Sequence, residues 1–321
     1  MRYGQCDGNV ILSTGGGLVD YDAAFLPHWK EFANALEEYQ YALNCLHGSK
    51  LSIWTVHLPK PVLDLLSHAL ESTHFTSLSL HDNRFGRDGI QFALDYMQNN
   101  PVLEDFVMFR NQINHEDDVK RLCEVIKDHP TINTLDLDEC CGEDTDGHEM
   151  LCSIMDAGRN KLKSINFPRN RISTGGSTFI GDFLATNPST PLADILATNP
   201  ILKELHLDDN RLDDKDATSI ASALKHNTNL RCLGLLENEI TDSGLDALRK
   251  AEFDPASLNS AYDSNHTCHI YGVSRFNGSW SHRLEPKQVR QKKIYHILSE
   301  RNRECSQMRE RMKQRMKQRM M

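Results

Sequence analysis

The sequence is poor in the features that mark membrane, secreted or catalytic proteins. It has no uninterrupted apolar run of the roughly 18 residues that a membrane-spanning helix requires. Its opening, MRYGQCDGNVILSTGGG, has neither the charged start nor the sustained apolar stretch of a secretory leader, so a soluble cytoplasmic protein is expected. Nine cysteines stand at 6, 45, 123, 140, 141, 152, 232, 268 and 305, with no C-x-x-C pair. That scatter speaks against a disulfide framework and leaves reduced thiols, mostly small core residues. The sequons at Asn265 and Asn277 would matter only in a secreted protein. H-E-x-x-H and G-x-S-x-G are absent. Gly15, Gly16 and Gly17 lack the Lys and the strand-to-helix setting of a phosphate loop and read as a flexible arm. No cofactor is implied, and the expectation is a protein without enzymatic activity.

Positive charge is scarce until the end of the chain. Residues 283–321 hold 13 of the 36 Lys+Arg and 4 of the 45 Asp+Glu, so the tail carries +9 and the rest −18. An acidic body repels nucleic acid and membrane phosphate, so only the tail could approach either. The tail lacks interleaved aromatics, which disfavours nucleic acid as a partner.

What the chain does have is leucine at fixed spacing. ILKELHLDDNRL, read from Ile201, fits L-x-x-L-x-L-x-x-N-x-L at every position from Leu202. Leu205 and Leu207 alternate with Glu204, His206 and Asp208 at the period of a strand, so leucines face a core and polar residues an open side. Asn210 then ends the strand, its amide suited to satisfying backbone groups of the bend. FTSLSLHDNRF, LEDFVMFRNQI, INTLDLDECCG, LKSINFPRNRI and LRCLGLLENEI repeat the pattern. They place Asn83, Asn111, Cys140, Asn170 and Asn238 at the position of Asn210, with steps of 28, 29, 30, 40 and 28 residues.

Amphipathic helices are predicted between the strands, over residues 89–99, 116–129, 147–157, 177–187, 215–227 and 243–251. LSIWTVHLP and PVLDLLSHAL form a degenerate first repeat. Trp29, Phe32, Leu36, Tyr39, Leu43 and Leu46 place a helix over 24–46 that would cover the raw end of the array. The long step has a visible origin. DFLATNP at 182–188 recurs as DILATNP at 194–200, a displacement of 12 residues, and removing it restores 28. Pro188 and Pro191 forbid one lengthened helix, so the surplus should bulge from the helical side while the strands keep register.

These repeats resemble the ribonuclease-inhibitor-like class of leucine-rich-repeat proteins, which also includes NOD-like-receptor repeats and Ran GTPase-activating proteins. LSIWTVHLPKPVLDLL, HDNRFGRDGIQFAL, DLDECCGED and EFDPASLNSAYDSNHTC are similar to uncharacterised repeat proteins of some unicellular eukaryotes, as is RQKKIYHILSERN. The resemblance implies an α/β solenoid, or horseshoe, with parallel strands on the concave face and helices on the convex face. The chain then divides into 1–50 (arm and capping helix), 51–252 (repeats), 253–286 (irregular cap and flexible stretch) and 287–321 (basic, partly helical, low-complexity tail).

The densest set of potential metal ligands, Asp138, Glu139, Cys140, Cys141, Glu143, Asp144, Asp146, His148 and Glu149, matches neither zinc nor calcium spacing and reads as a bend followed by a helix start; no metal is expected. The alternation instead builds a surface from Ser77, Ser79 and His81; Asp105, Val107 and Phe109; Thr134, Asp136 and Asp138; Ser164, Asn166 and Pro168; Glu204, His206 and Asp208; Cys232, Gly234 and Leu236. Its middle is acidic, with no Lys or Arg at these strand positions. Val107, Phe109 and Leu236 are expected as exposed apolar anchors. These features point to an adaptor that binds a protein with a basic surface. The alternative is regulation of a small GTPase, as the resemblance to Ran GTPase-activating proteins would imply. Because Asp136 and Asp208 point away from the leucines, charge reversal at both is expected to leave stability unchanged.

Overall fold

The computed structural model describes residues 2–6, 9–13, 22–44, 48–84, 86–185, 201–273 and 286–319. The twelve-residue duplication, Gly15 to Gly17 and Asn277 fall wholly or largely outside them. Among the described residues ten strands form one sheet in chain order: β1 (Arg2–Cys6), β2 (Asn9–Ser13), β3 (Lys50–Trp54), β4 (Ser77–His81), β5 (Asp105–Phe109), β6 (Thr134–Asp138), β7 (Ser164–Asn166), β8 (Glu204–His206), β9 (Cys232–Gly234) and β10 (His269–Tyr271). β1 pairs antiparallel with β2, and every later neighbour is parallel. The crossovers carry α1 (Leu26–Asn44), α2 (Lys60–Leu70), α3 (Gly86–Asn99), α4 (Glu116–Asp128), α5 (Gly147–Gly158), α6 (Phe179–Leu184), α7 (Asp214–Leu224), α8 (Asp242–Glu252) and α9 (Leu258–Tyr262); α10 (Pro286–Arg319) ends the chain.

The expected alternation sets which side is buried. Leu78, Phe106, Leu135, Ile165, Leu205 and Leu233 occupy one register row of the sheet, and Ile53, Leu80, Met108 and Leu137 a second. All are at most 1% exposed. They meet helix stripes such as Leu122 and Ile126 of α4 in one continuous core. Each fully buried leucine contributes roughly 1.5–3 kcal/mol, and only stacked coils can bury both flanks of a coil.

The sheet begins earlier and ends later than the leucine pattern. β2 pairs with β3, so β2 and α1 make an additional coil whose outer edge is closed by β1. Trp29, Phe32 and Leu36 of α1 are buried as their spacing requires. β10 extends the other end by pairing with β9. The 40-residue step leaves the strands in register, with Ser164 opposite Glu204 and Ile165 opposite Leu205.

The bends are held by the predicted ladder. The Asn210 amide group donates to the carbonyls of Phe167, Leu207 and Asp208 at 3.1, 3.1 and 3.2 Å. Its Oδ1 accepts the backbone N–H groups of Asn170 and Ile172, both at 3.0 Å. Asn170 does the same for Cys140 and Cys141 at 2.8 and 2.7 Å. Cys140 takes its rung with the thiol, which donates to the Met108 carbonyl at 3.3 Å. Immediately before these rungs, Asp82, Arg110, Glu139, Arg169, Asp209 and Glu237 adopt positive φ of 47–56°. The N–H groups of Asp82, Arg110, Glu139, Arg169 and Asp209 continue the parallel ladder into the next coil.

A second polar ladder, not visible in the repeat motif, holds the helix-to-strand turns. Asn100 donates to the Phe75 carbonyl at 2.7 Å and Asn227 to the Leu184 carbonyl at 2.8 Å. The ring of His129 takes an equivalent place, contacting the Asn100 carbonyl at 2.9 Å and accepting the Ile132 N–H at 3.0 Å. Burial lowers its pKa, in keeping with the neutral ring that such acceptance needs. Asn265 closes the series: it is buried and accepts from Thr267 and Cys268, so its side chain is committed to the fold.

Candidate functional site

The open side of the sheet presents three columns. Lys50, Ser77, Asp105, Thr134, Ser164, Glu204, Cys232 and His269 form the first, and Ser52, Ser79, Val107, Asp136, Asn166, His206, Gly234 and Tyr271 the second. Trp54, His81, Phe109 and Asp138 form the third, which Asp208 and Leu236 continue beyond the shorter strands β8 and β9. All eleven predicted recognition residues therefore lie on this side.

Their environments differ from a simple exposed acidic lane. Among the predicted anchors only Leu236 is exposed, at 46%; Val107 and Phe109 are half-buried. The Arg110 and Arg169 guanidinium carbons sit 4.8 and 5.3 Å from the Phe109 ring centroid, so Phe109 is already covered by cations. Ser77, Ser79, Cys232 and Gly234 are buried because short side chains sink beneath taller neighbours. His81, for example, contacts the Ser79 hydroxyl at 2.7 Å. Pro168 is also buried, lying past the end of β7.

Two arginines from the bends partly compensate the acids. Arg169 pairs with Asp138, and Arg110 with Glu139 at 2.8 Å. Asp105, Asp136 and Glu204 have no ion pair among the described residues. Burial raises the pKa of Asp136 and lifts that of Asp138 to about 6, the latter against the downward pull of Arg169. Burial also pushes Asp208 upward, but the His206 imidazole and the Leu236 N–H, the latter at 2.8 Å, hold its carboxyl below the usual value. A Cβ at Gly234 would lie 2.3 Å from Asp208 Oδ2 and 2.7 Å from His206 Nδ1, so any larger residue there would displace both side chains. The expectation that Asp136 and Asp208 could be reversed without loss of stability is therefore corrected. Asp208 caps a backbone amide, and Asp136 has given up much of its hydration.

Aromatic groups flank this middle on both sides. Trp54, 37% exposed, lies 5.1 Å from the His81 ring, and His81 lies 5.7 Å from Phe109. Tyr271 sits 5.8 Å from His206 and 4.9 Å from His269. The repeat motif does not place Trp54, Lys50, His269 and Tyr271 on this face, because β3 and β10 carry no complete leucine-asparagine pattern. The strand period in LSIWTV, which alternates Leu51 and Ile53 with Ser52 and Trp54, does place Trp54 there.

The 138–149 cluster is dispersed. Cys140 points into the core, Asp138 and Glu139 pair with arginine, and Asp146 caps α5 by accepting the N–H groups of His148 and Glu149. Among the described residues no group of three or more His, Cys, Asp or Glu is placed to hold a metal ion. No helix among them is long and apolar enough to cross a membrane.

A family model described as leucine-rich repeat matches residues 198–221 and 226–248, the coils of β8 and β9. The fold is a leucine-rich-repeat solenoid. Coils outside the matched segments show the same strand, asparagine bend and helix, with Val56 or Cys140 at the bend residue in places. No curated protein matches the chain significantly in sequence. Protein binding is the usual role of such a solenoid, whose helices cover the convex side and leave the concave sheet open.

Proposed function

We propose that the chain is a cytoplasmic, non-enzymatic adaptor of the ribonuclease-inhibitor-like class, whose concave sheet binds a protein with a basic surface. The observation that carries this reading is the register of Asp105, Asp136, Asp138, Glu204 and Asp208 on one open face. Leu236 and Trp54 stand exposed beside them. Preformed acids give a basic partner electrostatic steering, and desolvated apolar neighbours hold it once docked. Arg110 and Arg169 cover Phe109 and pair with Asp138 and Glu139 at the bend end of the face, which leaves Asp105, Asp136 and Glu204 as the acids without an ion pair among the described residues.

The test is affinity capture with intact protein beside Asp105→Lys with Glu204→Lys. These two residues are chosen because neither carboxylate accepts a backbone N–H among the described hydrogen bonds. Partners captured by the parent and lost by the variant support the reading. Retention of every partner would refute it.

A further inference from the structure

The basic tail is the strongest charged feature that the concave face leaves unused. α10 runs unbroken for 34 residues, about 50 Å at the helical rise. Its first turns are held by the body. Val289, Lys293 and Ile297 are buried, with Ile297 against Phe253 and Ala261. Lys293 Nζ donates to the Asn265 carbonyl at 2.7 Å and to the Glu252 carbonyl at the end of α8. From Arg301 to Met312 every residue is exposed. Residues 301–319 carry eight Lys or Arg against Glu304 and Glu310, a net +6.

A continuous helix pinned at its first turns cannot fold back onto its own sheet without breaking. The acidic face it complements is therefore reached in another molecule. Resting on the reading of the concave face given above, we propose that the exposed part of α10 docks in trans on the concave face of a second copy of this chain.

Charge, length and apolar contact agree. The body of −18 meets the tail of +9. Residues 301–319 span roughly 28 Å, and the six steps from β4 to β10 span roughly 29 Å. Met308 and Met312, 64% and 58% exposed and one helical turn apart, supply an adaptable apolar contact for exposed Leu236. Residues 301–319 carry no aromatic side chain to stack on bases, and binding of the tail to duplex DNA or anionic vesicles is an outcome of the test below. Reciprocal docking of two tails closes a twofold dimer.

Sedimentation velocity on three chains tests this: the parent, a chain ending at Glu300 that keeps the buried anchors, and Asp105→Lys with Glu204→Lys. Unchanged circular dichroism and cooperative unfolding establish that each is folded. Asp105→Asn with Glu204→Gln serves as a milder second face variant and is expected to weaken the dimer partially. The parent should dimerise at about 50 mM salt and dissociate at least about tenfold more readily at about 500 mM. The truncated chain and Asp105→Lys with Glu204→Lys should each be monomeric alone, and these two mixed should form a one-to-one complex, the first supplying the face and the second the tail. A monomeric parent, a dimer that survives truncation, or a mixture that does not associate would overturn the proposal. So would a monomeric parent whose tail instead binds duplex DNA or anionic vesicles. If the parent is monomeric while capture of other proteins still depends on Asp105 and Glu204, this inference falls and the function of the face stands.

Discussion

Asn210 and Asn83 occupy the same position in their coils but not the same network. Asn210 satisfies two backbone donors and three carbonyls. Asn83 donates to the Val56 carbonyl, and its Oδ1 finds no partner. Asn210→Ala should therefore cost about 1–3 kcal/mol, since it strands two buried N–H groups, and Asn83→Ala measurably less. Denaturant unfolding of both variants checks this, and equal losses would contradict it. Asp138 offers a pH-dependent counterpart. Burial lifts its folded pKa from 3.8 to about 6, so the native state prefers the neutral carboxyl. Its stabilising contribution is whole below the unfolded value and is lost as pH rises toward the folded value. Asp138→Asn, which stays neutral, should gain stability relative to the parent between about pH 4 and pH 7. A difference that stays flat across that window, measured by unfolding at both ends, would count against the burial account. Both positions were legible as residues in the sequence. Their arginine cover and partner counts were not, because Arg110 and Arg169 reach the face from left-handed bend positions outside the strand period.

At the scale of elements, leucine and asparagine spacing located the coils from β4 to β9, since burial on a parallel sheet and closure of a bend demand those residue types directly. The β1–β2 hairpin and β10 were not legible. They are short, lack the leucine-asparagine motif, and are strands because a neighbouring strand offers an open edge. The insertion before β8 makes a sharper test. Ser164 and Glu204 pair across 40 residues in the register that other coils reach with about 28. Deleting 189–200 should therefore leave cooperative unfolding intact and its midpoint within a few degrees of the parent. Loss of cooperativity would show that the surplus segment supports the core.

Over the whole molecule, the helices of the solenoid are spent on the core and the sheet is left to face outward, which separates residues that hold the fold from residues free to recognise. The acidic character of the sheet could be anticipated from alternation alone. The two arginines over Phe109 and Asp138 and the aromatic flanks required the neighbouring coils to be in place. The claim that recognition belongs to this side is tested most directly by the affinity of one captured partner for three chains: the parent, Asp105→Lys with Glu204→Lys on the sheet, and Glu116→Lys with Asp117→Lys at the exposed start of α4. The convex variant should bind as the parent does, while the concave variant should lose at least about tenfold in affinity. Equal weakening by both variants, or full affinity in the concave one, would contradict the account.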